Sequence, residues 1–125
     1  MRTLDEDTSW ATMRRELRYT IAMLRAAGMH DDVLREMPDA NEYYISLDTD
    51  VFDPALAPGV NSVAFGGIDY FEATNLIRGI AARGKIVGFD IVEIAPQNDM
   101  KDITSLLATR TIMNVIGAMA HAGGL

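Results

Sequence analysis

Cysteine is absent from the chain, which excludes a disulfide framework and any thiolate chemistry. Basic residues are outnumbered, with 11 Lys and Arg against 18 Asp and Glu and a net charge of −7. That balance argues against nucleic-acid binding, which needs a basic face. No run reaches the ~18 uncharged apolar residues of a membrane span. The segment Met1 to Trp10 is too charged for a signal peptide. No glycine-rich phosphate loop is present either, so phosphate chemistry has no support. Histidine is scarce: only His30 and His121 occur, and neither stands at ligand-like spacing, so both are expected to be solvated. A soluble, cytoplasmic chain is the expectation that these absences leave. At 125 residues it forms one domain at most, with a moderate core. Its 49% hydrophobic and 23% charged residues are ordinary for a globular protein.

The order of elements is read from periodicity and punctuation. Ser9 reads as an N-cap, and Trp10, Met13, Leu17, Ile21 and Leu24 follow at helical spacing down to Gly28. The opposite face carries Arg14, Arg15, Arg18 and Arg25, either a solvated helix face or an anion-binding strip. A short helix from Asp31 to Met37 stops at Pro38, and a turn leads into a strand from Tyr43 to Leu47. Asp69 and Glu72 form a capping-box pattern for a helix from Tyr70 to Ala82. Ile86 to Ile94 is almost continuously apolar apart from Asp90 and Glu93, as in a strand buried on both faces of a parallel sheet. A final helix spans about Ile103 to His121 and ends at Gly123-Gly124. Its apolar residues go nearly all the way round, so it is expected to be covered on more than one side, by further protein or by another subunit. The eight methionines are expected to fill the core. Repeats and low-complexity segments are absent.

Two aspartates one residue apart, Asp48 and Asp50, close the strand Tyr43–Leu47 and precede Asp53-Pro54. Side chains alternate along a strand, so residues i and i+2 project to the same side. Two carboxylates held together repel and raise each other's pKa unless a cation intervenes, and hard divalent metals prefer carboxylate oxygens. The alternative for such a pair is an N-cap or a turn, which Asp53-Pro54 already signals.

Strand–loop–helix–strand–helix is a βαβ unit, expected to be right-handed. It brings the C-terminal ends of both strands to one edge of the sheet, where open α/β sheets bind ligands. Asp48 and Asp50 leave one strand there, and Glu93 leaves the other. Asp90, three residues before Glu93, is either a carboxylate behind the site that orients its ligands or a buried acid bonded to neighbouring backbone.

The stretch from Tyr43 to Gly67 resembles the ureohydrolase family of arginase, agmatinase and their relatives. The matching elements are Ser46, Asp48, Asp50, Asp53-Pro54, Pro58-Gly59 and Gly66-Gly67, followed by a second block, Gly88-Phe89-Asp90-Ile91-Val92-Glu93-Ile94-Ala95-Pro96. The resemblance is firm from Leu34 to Met119. It implies a three-layer α/β/α arginase-like fold, of which residues 1–125 would be the C-terminal part. It also implies two Mn²⁺ ions, with Asp48 bridging both and Asp50 binding one. Glu93 would grip the substrate's guanidinium by paired charge-assisted hydrogen bonds. Ser62 falls where the family has a threonine hydroxyl near that group. The implied reaction is attack by a metal-activated water on the guanidinium carbon, releasing urea and an amine, agmatinase-like more than arginase-like.

Two departures accompany the resemblance. Between Gly59 and Gly66 the family's Thr-Gly-Thr-Pro is replaced by Val60-Asn61-Ser62-Val63-Ala64-Phe65, which leaves the particular guanidino compound open. The family's two earlier ligand motifs, Gly-Gly-Asp-His and Asp-Ala-His-x-Asp-x-x-Asp, do not occur in this sequence. The competing readings are therefore a segment of a guanidino-compound hydrolase inactive without those ligands, a non-catalytic remnant, and a small metal-binding or assembly module. Because two strands flanked by helices are poorly covered alone, a homo-oligomer or a complementing N-terminal chain is expected as partner.

Overall fold

The computed structural model describes residues 30–123. The helix expected between Ser9 and Gly28, with its arginine face, lies outside the described residues. Helix α1 spans His30–Glu36 and stops before Pro38, whose predecessor avoids the helical region. Strand β1 covers Glu42–Asp48 and helix α2 covers Tyr70–Arg83. Strand β2 runs Lys85–Val92 and helix α3 runs Ile103–His121. One-turn 3-10 helices at Thr49–Val51 and Pro96–Asn98 follow the two strands.

Helix α2 starts where its capping box predicts. The Asp69 carboxylate accepts from the Glu72 amide at 2.8 Å, and the Glu72 carboxylate accepts from the Asp69 amide at 2.7 Å. Reciprocal capping of this kind satisfies two orphan donors and is worth about 1 kcal/mol. The two glycines before it are required by geometry. Gly66 has φ +70°, and a Cβ at Gly67 would lie 2.4 Å from the backbone of Phe52. This close approach lets Ile68 pair with the chain beyond β1, donating to Val51 O at 2.9 Å and accepting from Asp53 N at 3.1 Å.

β1 and β2 pair in parallel as a two-stranded sheet. Tyr43 faces Ile86 and Tyr44 faces Gly88, so Val87 is the extra residue of a bulge. Beyond the bulge, Ser46 faces Asp90 and Asp48 faces Val92. The side chains therefore sort into two faces. Tyr43, Ile45, Ile86 and Phe89 pack with Ile77, Ile80, Ala81 and Val115 of the helices in one core cluster. A second cluster, built on Val33, Phe52, Ala57, Ile68 and Ala73, sits under the loop that follows β1. Leu76 packs against both. The opposite face of the sheet holds Tyr44, Ser46, Asp48, Asp90 and Val92.

That second face corrects the expectation that β2 is buried on both sides. Tyr44 is 63% exposed and Val92 41% exposed, because among the described residues helices cover only one face. Two of the three expected layers are therefore described. Helix α3 also departs from full coverage. It buries Thr104, Ala108, Thr111 and Val115 against the domain, while Leu106, Met113 and Ile116 stay exposed. By length and composition α3 is apolar enough to cross a membrane, with a mean hydropathy of 1.3 over an 18-residue stretch of its 19 residues. Its buried stripe, however, makes it a covering helix of this domain. The methionines divide likewise: Met37 and Met119 pack against the core, whereas Met100 and Met113 are exposed. His121 ends α3 as an exposed residue.

Candidate functional site

Asp48 is the last residue of β1 and Asp50 lies in the 3-10 turn that follows. Alternation along a strand is therefore not what brings the pair together. The turn does: Asp48 caps it, its Oδ1 accepting from the Asp50 amide at 3.1 Å. The N-cap and the acid pair are thus the same structure. Thr49, between them, is fully buried and donates its hydroxyl to the carbonyl of Val92 at 2.6 Å. This bond ties the end of β1 to the peptide just before Glu93. Glu93 itself leaves β2 with φ +62°, a left-handed conformation that is costly for a residue with a Cβ and that turns the chain away from the strand.

The Asp50 carboxyl is pushed above its ordinary value by burial, then by the charge and hydrogen bond of Asp48, and finally by the charge of Glu93. Carboxylate oxygens are hard donors of the kind that suits a hard divalent cation such as Mn²⁺. In number they fall short. Among the described residues, no group of three or more His, Cys, Asp or Glu side chains is arranged to hold a metal ion. The donors fit part of a coordination shell and not the whole of it.

The loop after the acids is held in place from below. Asp53 Oδ1 accepts from Ala55 N at 3.0 Å, making the turn that Asp53-Pro54 announces. Gly59 donates to Thr104 Oγ1 at 2.7 Å and accepts from Ala95 N at 2.7 Å. Asn98 Nδ2 reaches Val60 O at 3.0 Å. The loop is thereby anchored to the segment that follows Glu93. Ser62 stands exposed beyond this anchor and makes no hydrogen bond among the described residues. Its neighbour Asn61 instead meets the site, donating to Glu93 Oε2 in a long bond of 3.4 Å.

Of the two sequence alternatives for Asp90, the buried acid bonded to neighbouring backbone is overturned. It bonds to no backbone group; its two oxygens accept from the hydroxyls of Ser46 at 2.6 Å and Tyr44 at 2.7 Å. Those bonds hold its carboxyl below the ordinary range, against a small opposing effect of burial. Sequence reasoning missed Thr49, Asn61 and Tyr44. A hydroxyl inside the Asp-x-Asp motif was the one available signal for Thr49. Asn61 and Tyr44 carry none, because their partners lie 32 and 46 residues away.

The arginase family model matches residues 1–117. Formimidoylglutamase of Streptococcus pyogenes serotype M5 (strain Manfredo) is 39% identical over 78 residues, covering 62% of this chain and 24% of that protein. The chain thus spans about a quarter of the length of the curated relatives it matches. Proclavaminate amidino hydrolase from Streptomyces clavuligerus superposes with a TM-score of 0.68 at 35% identity, over 82% of this chain and 33% of that one. Arginase from Bacillus subtilis superposes with a TM-score of 0.71 at 29% identity, over 93% of this chain and 45% of that one.

Proposed function

The chain belongs to the arginase family, and from that premise we propose that Asp48, Asp50 and Glu93 are the carboxyl-edge part of a manganese-dependent hydrolase site for a guanidino compound. The observation that carries this reading is the placement of the three acids: Asp48 closes β1, Asp50 follows it in the 3-10 turn, and Glu93 leaves the parallel neighbour β2 at the same edge. Asp48 and Asp50 would hold metal, with Asp48 placed to bridge two ions. Manganese, when bound, supplies a water acidic enough to act near neutral pH.

The remaining tasks fall to the chain's own groups. Glu93 offers two oxygens to a planar amidinium, whose N–H donors match a carboxylate in paired bonds. Asn61 steadies Oε2 of that carboxylate. The buried Thr49 fixes the peptide from which Glu93 departs. Ser62 is close enough in sequence to meet a bound substrate only if the loop from Val60 to Phe65 folds over it. Two carboxylates do not complete the coordination of two ions. The other ligands would come from a longer form of this chain or from a complementing chain, and the exposed apolar side of α3 suits an assembly with more protein.

A second reading concerns the substrate. The loop Val60–Phe65 lacks the Thr-Gly-Thr-Pro pattern, and one relative is a formimidoylglutamase at 39% identity. The loop leaves the substrate open, and the relative favours a formimidoyl group, another planar amidine, as the group hydrolysed. The test is a Mn²⁺ titration of the chain and of Asp48→Ala, followed by product assays on guanidino and formimidoyl substrates with the assembled enzyme. Urea release supports the first reading, formamide release the second. Unchanged Mn²⁺ stoichiometry in Asp48→Ala would refute the assignment of Asp48. Weak and unselective Mn²⁺ binding is expected of the chain by itself, since two carboxylates are only part of a site; tight, selective binding would favour a small metal-binding module instead.

A further inference from the structure

We infer that Asp90 is a positioning residue which, through Ser46 and Tyr44, sets the separation of the Asp48–Asp50 pair from Glu93. The inference deepens the proposed site and rests on it for its metal readout. The geometry begins with the bulge at Val87, where the register of the two strands changes by one residue. A one-residue slip would carry every side chain beyond it to the other face; Ile45 and Phe89 in the core resist it on the packed face, which leaves the open face, with Asp48, to be held separately.

Asp90 supplies that hold. It sits opposite Ser46, two residues before Asp48 and three before Glu93. One carboxylate oxygen accepts from Ser46 at 2.6 Å and the other from Tyr44 at 2.7 Å. Both hydroxyls belong to β1, so the acid grips the neighbouring strand at two successive positions on one face. Gly88 shows that the grip is built in. A Cβ there would lie 2.4 Å from the Tyr44 ring, so the ring lies across β2 only because that position is bare. Tyr44 is 63% exposed, and its ring adds little to the core; its hydroxyl is what reaches. The carboxylate form of Asp90 and the protonated form of Tyr44 are both favoured by their bond, so the grip holds at neutral pH.

A second tie lies inside the acid pair, from Thr49, between Asp48 and Asp50, to the carbonyl of Val92. Asp48, opposite Val92, is therefore bracketed by a bond below and a bond above. The lower tie ends on a side chain of the strand that delivers Glu93, and the upper tie ends on that strand's last peptide. Loosening the lower tie leaves the fold intact, because the opposite face of the sheet carries the core, but it frees the strand ends to shift against each other.

The experiment compares wild type, Asp90→Asn and Tyr44→Phe by amide hydrogen exchange in EDTA and by Mn²⁺ affinity. Tyr44→Phe keeps the ring over Gly88 and removes only the hydroxyl, so it serves if Asp90→Asn folds poorly. The expected result is exchange faster by about fivefold or more at Asp48, Asp50 and Val92, with α2 amides unchanged, and Mn²⁺ binding weaker by about 10–100-fold. Uniform acceleration, or none, overturns the inference, since a purely structural acid would loosen α2 as well. Selective acceleration with unaltered Mn²⁺ affinity also overturns it. If wild type takes up no Mn²⁺ while the selective acceleration persists, the metal reading of the site fails and the register clamp stands.

Discussion

Asp99 and Asp50 each follow the end of a strand, yet their surroundings oppose each other. Asp99 accepts from the amides of Met100, Thr104 and Ser105 and from the Ser105 hydroxyl, at 2.9–3.0 Å. Burial alone would raise its carboxyl, but the bonds from Thr104 and Ser105 outweigh it and bring the value from 3.8 to about 2. Asp50 is raised instead, first by burial and then by the two further carboxylates it meets. One turn has its acid matched with donors and serves the fold, capping α3 in place of Asp102, which makes no side-chain cap. The other concentrates charge that no ion pair among the described residues neutralises. Local stability and the proposed metal site are thus separated between two turns at the same edge of the sheet.

The sharpest way to break this comparison is metal binding. Asp48→Ala should weaken Mn²⁺ binding by more than about tenfold, whereas Asp99→Ala should leave it unchanged; equal losses in a titration of both variants would erase the distinction. Next in size is Thr49→Val. It removes a buried donor and leaves the Val92 carbonyl unsatisfied, at a cost of about 1–3 kcal/mol, to be read from urea denaturation midpoints. A cost near zero would show that Thr49 does not tie the strands.

Acid titration separates the two turns further. Asp99 has a lowered pKa when folded, so its contribution is present above the ordinary 3.8 and is lost as pH falls toward about 2. Asp99→Ala should therefore melt lower than wild type at neutral pH, and the gap should close on acidification. A constant gap down to that pH would mean that the hydrogen bonds do not depend on the charge. Asp50 has the opposite sign. Its raised pKa contributes stability below 3.8 that is lost as pH rises through the folded value. The smallest expected effect follows: Asp50→Asn should slightly raise the melting temperature of metal-free protein at neutral pH. A lower melting temperature would show that the repulsion is relieved within the protein.

Much of the fold was legible because its signals are local. The Asp69/Glu72 box, the stop before Pro38 and the apolar run after Gly84 each occupy a few consecutive residues, and each marks an observed boundary within one or two positions. The motif around Asp48 and Asp50 was legible too, but the reason offered for it was wrong. The pair meets through a capped 3-10 turn, which a period-2 reading cannot distinguish from a continuing strand. Coverage of β2 was misread for a related reason. An apolar run shows that a strand can be buried, whereas which face is covered depends on the helices that happen to pack there.

The sequence by itself determined the elements, their order and the acids that reach the carboxyl edge, since hydrophobic period, caps and turn residues act within windows of a few residues. Only the tertiary structure decided which groups support those acids. Thr49 to Val92, Ser46 and Tyr44 to Asp90, and Asn61 to Glu93 join residues 32 to 46 positions apart. Such pairs exist only once parallel pairing, with its bulge at Val87, has set one strand against the other.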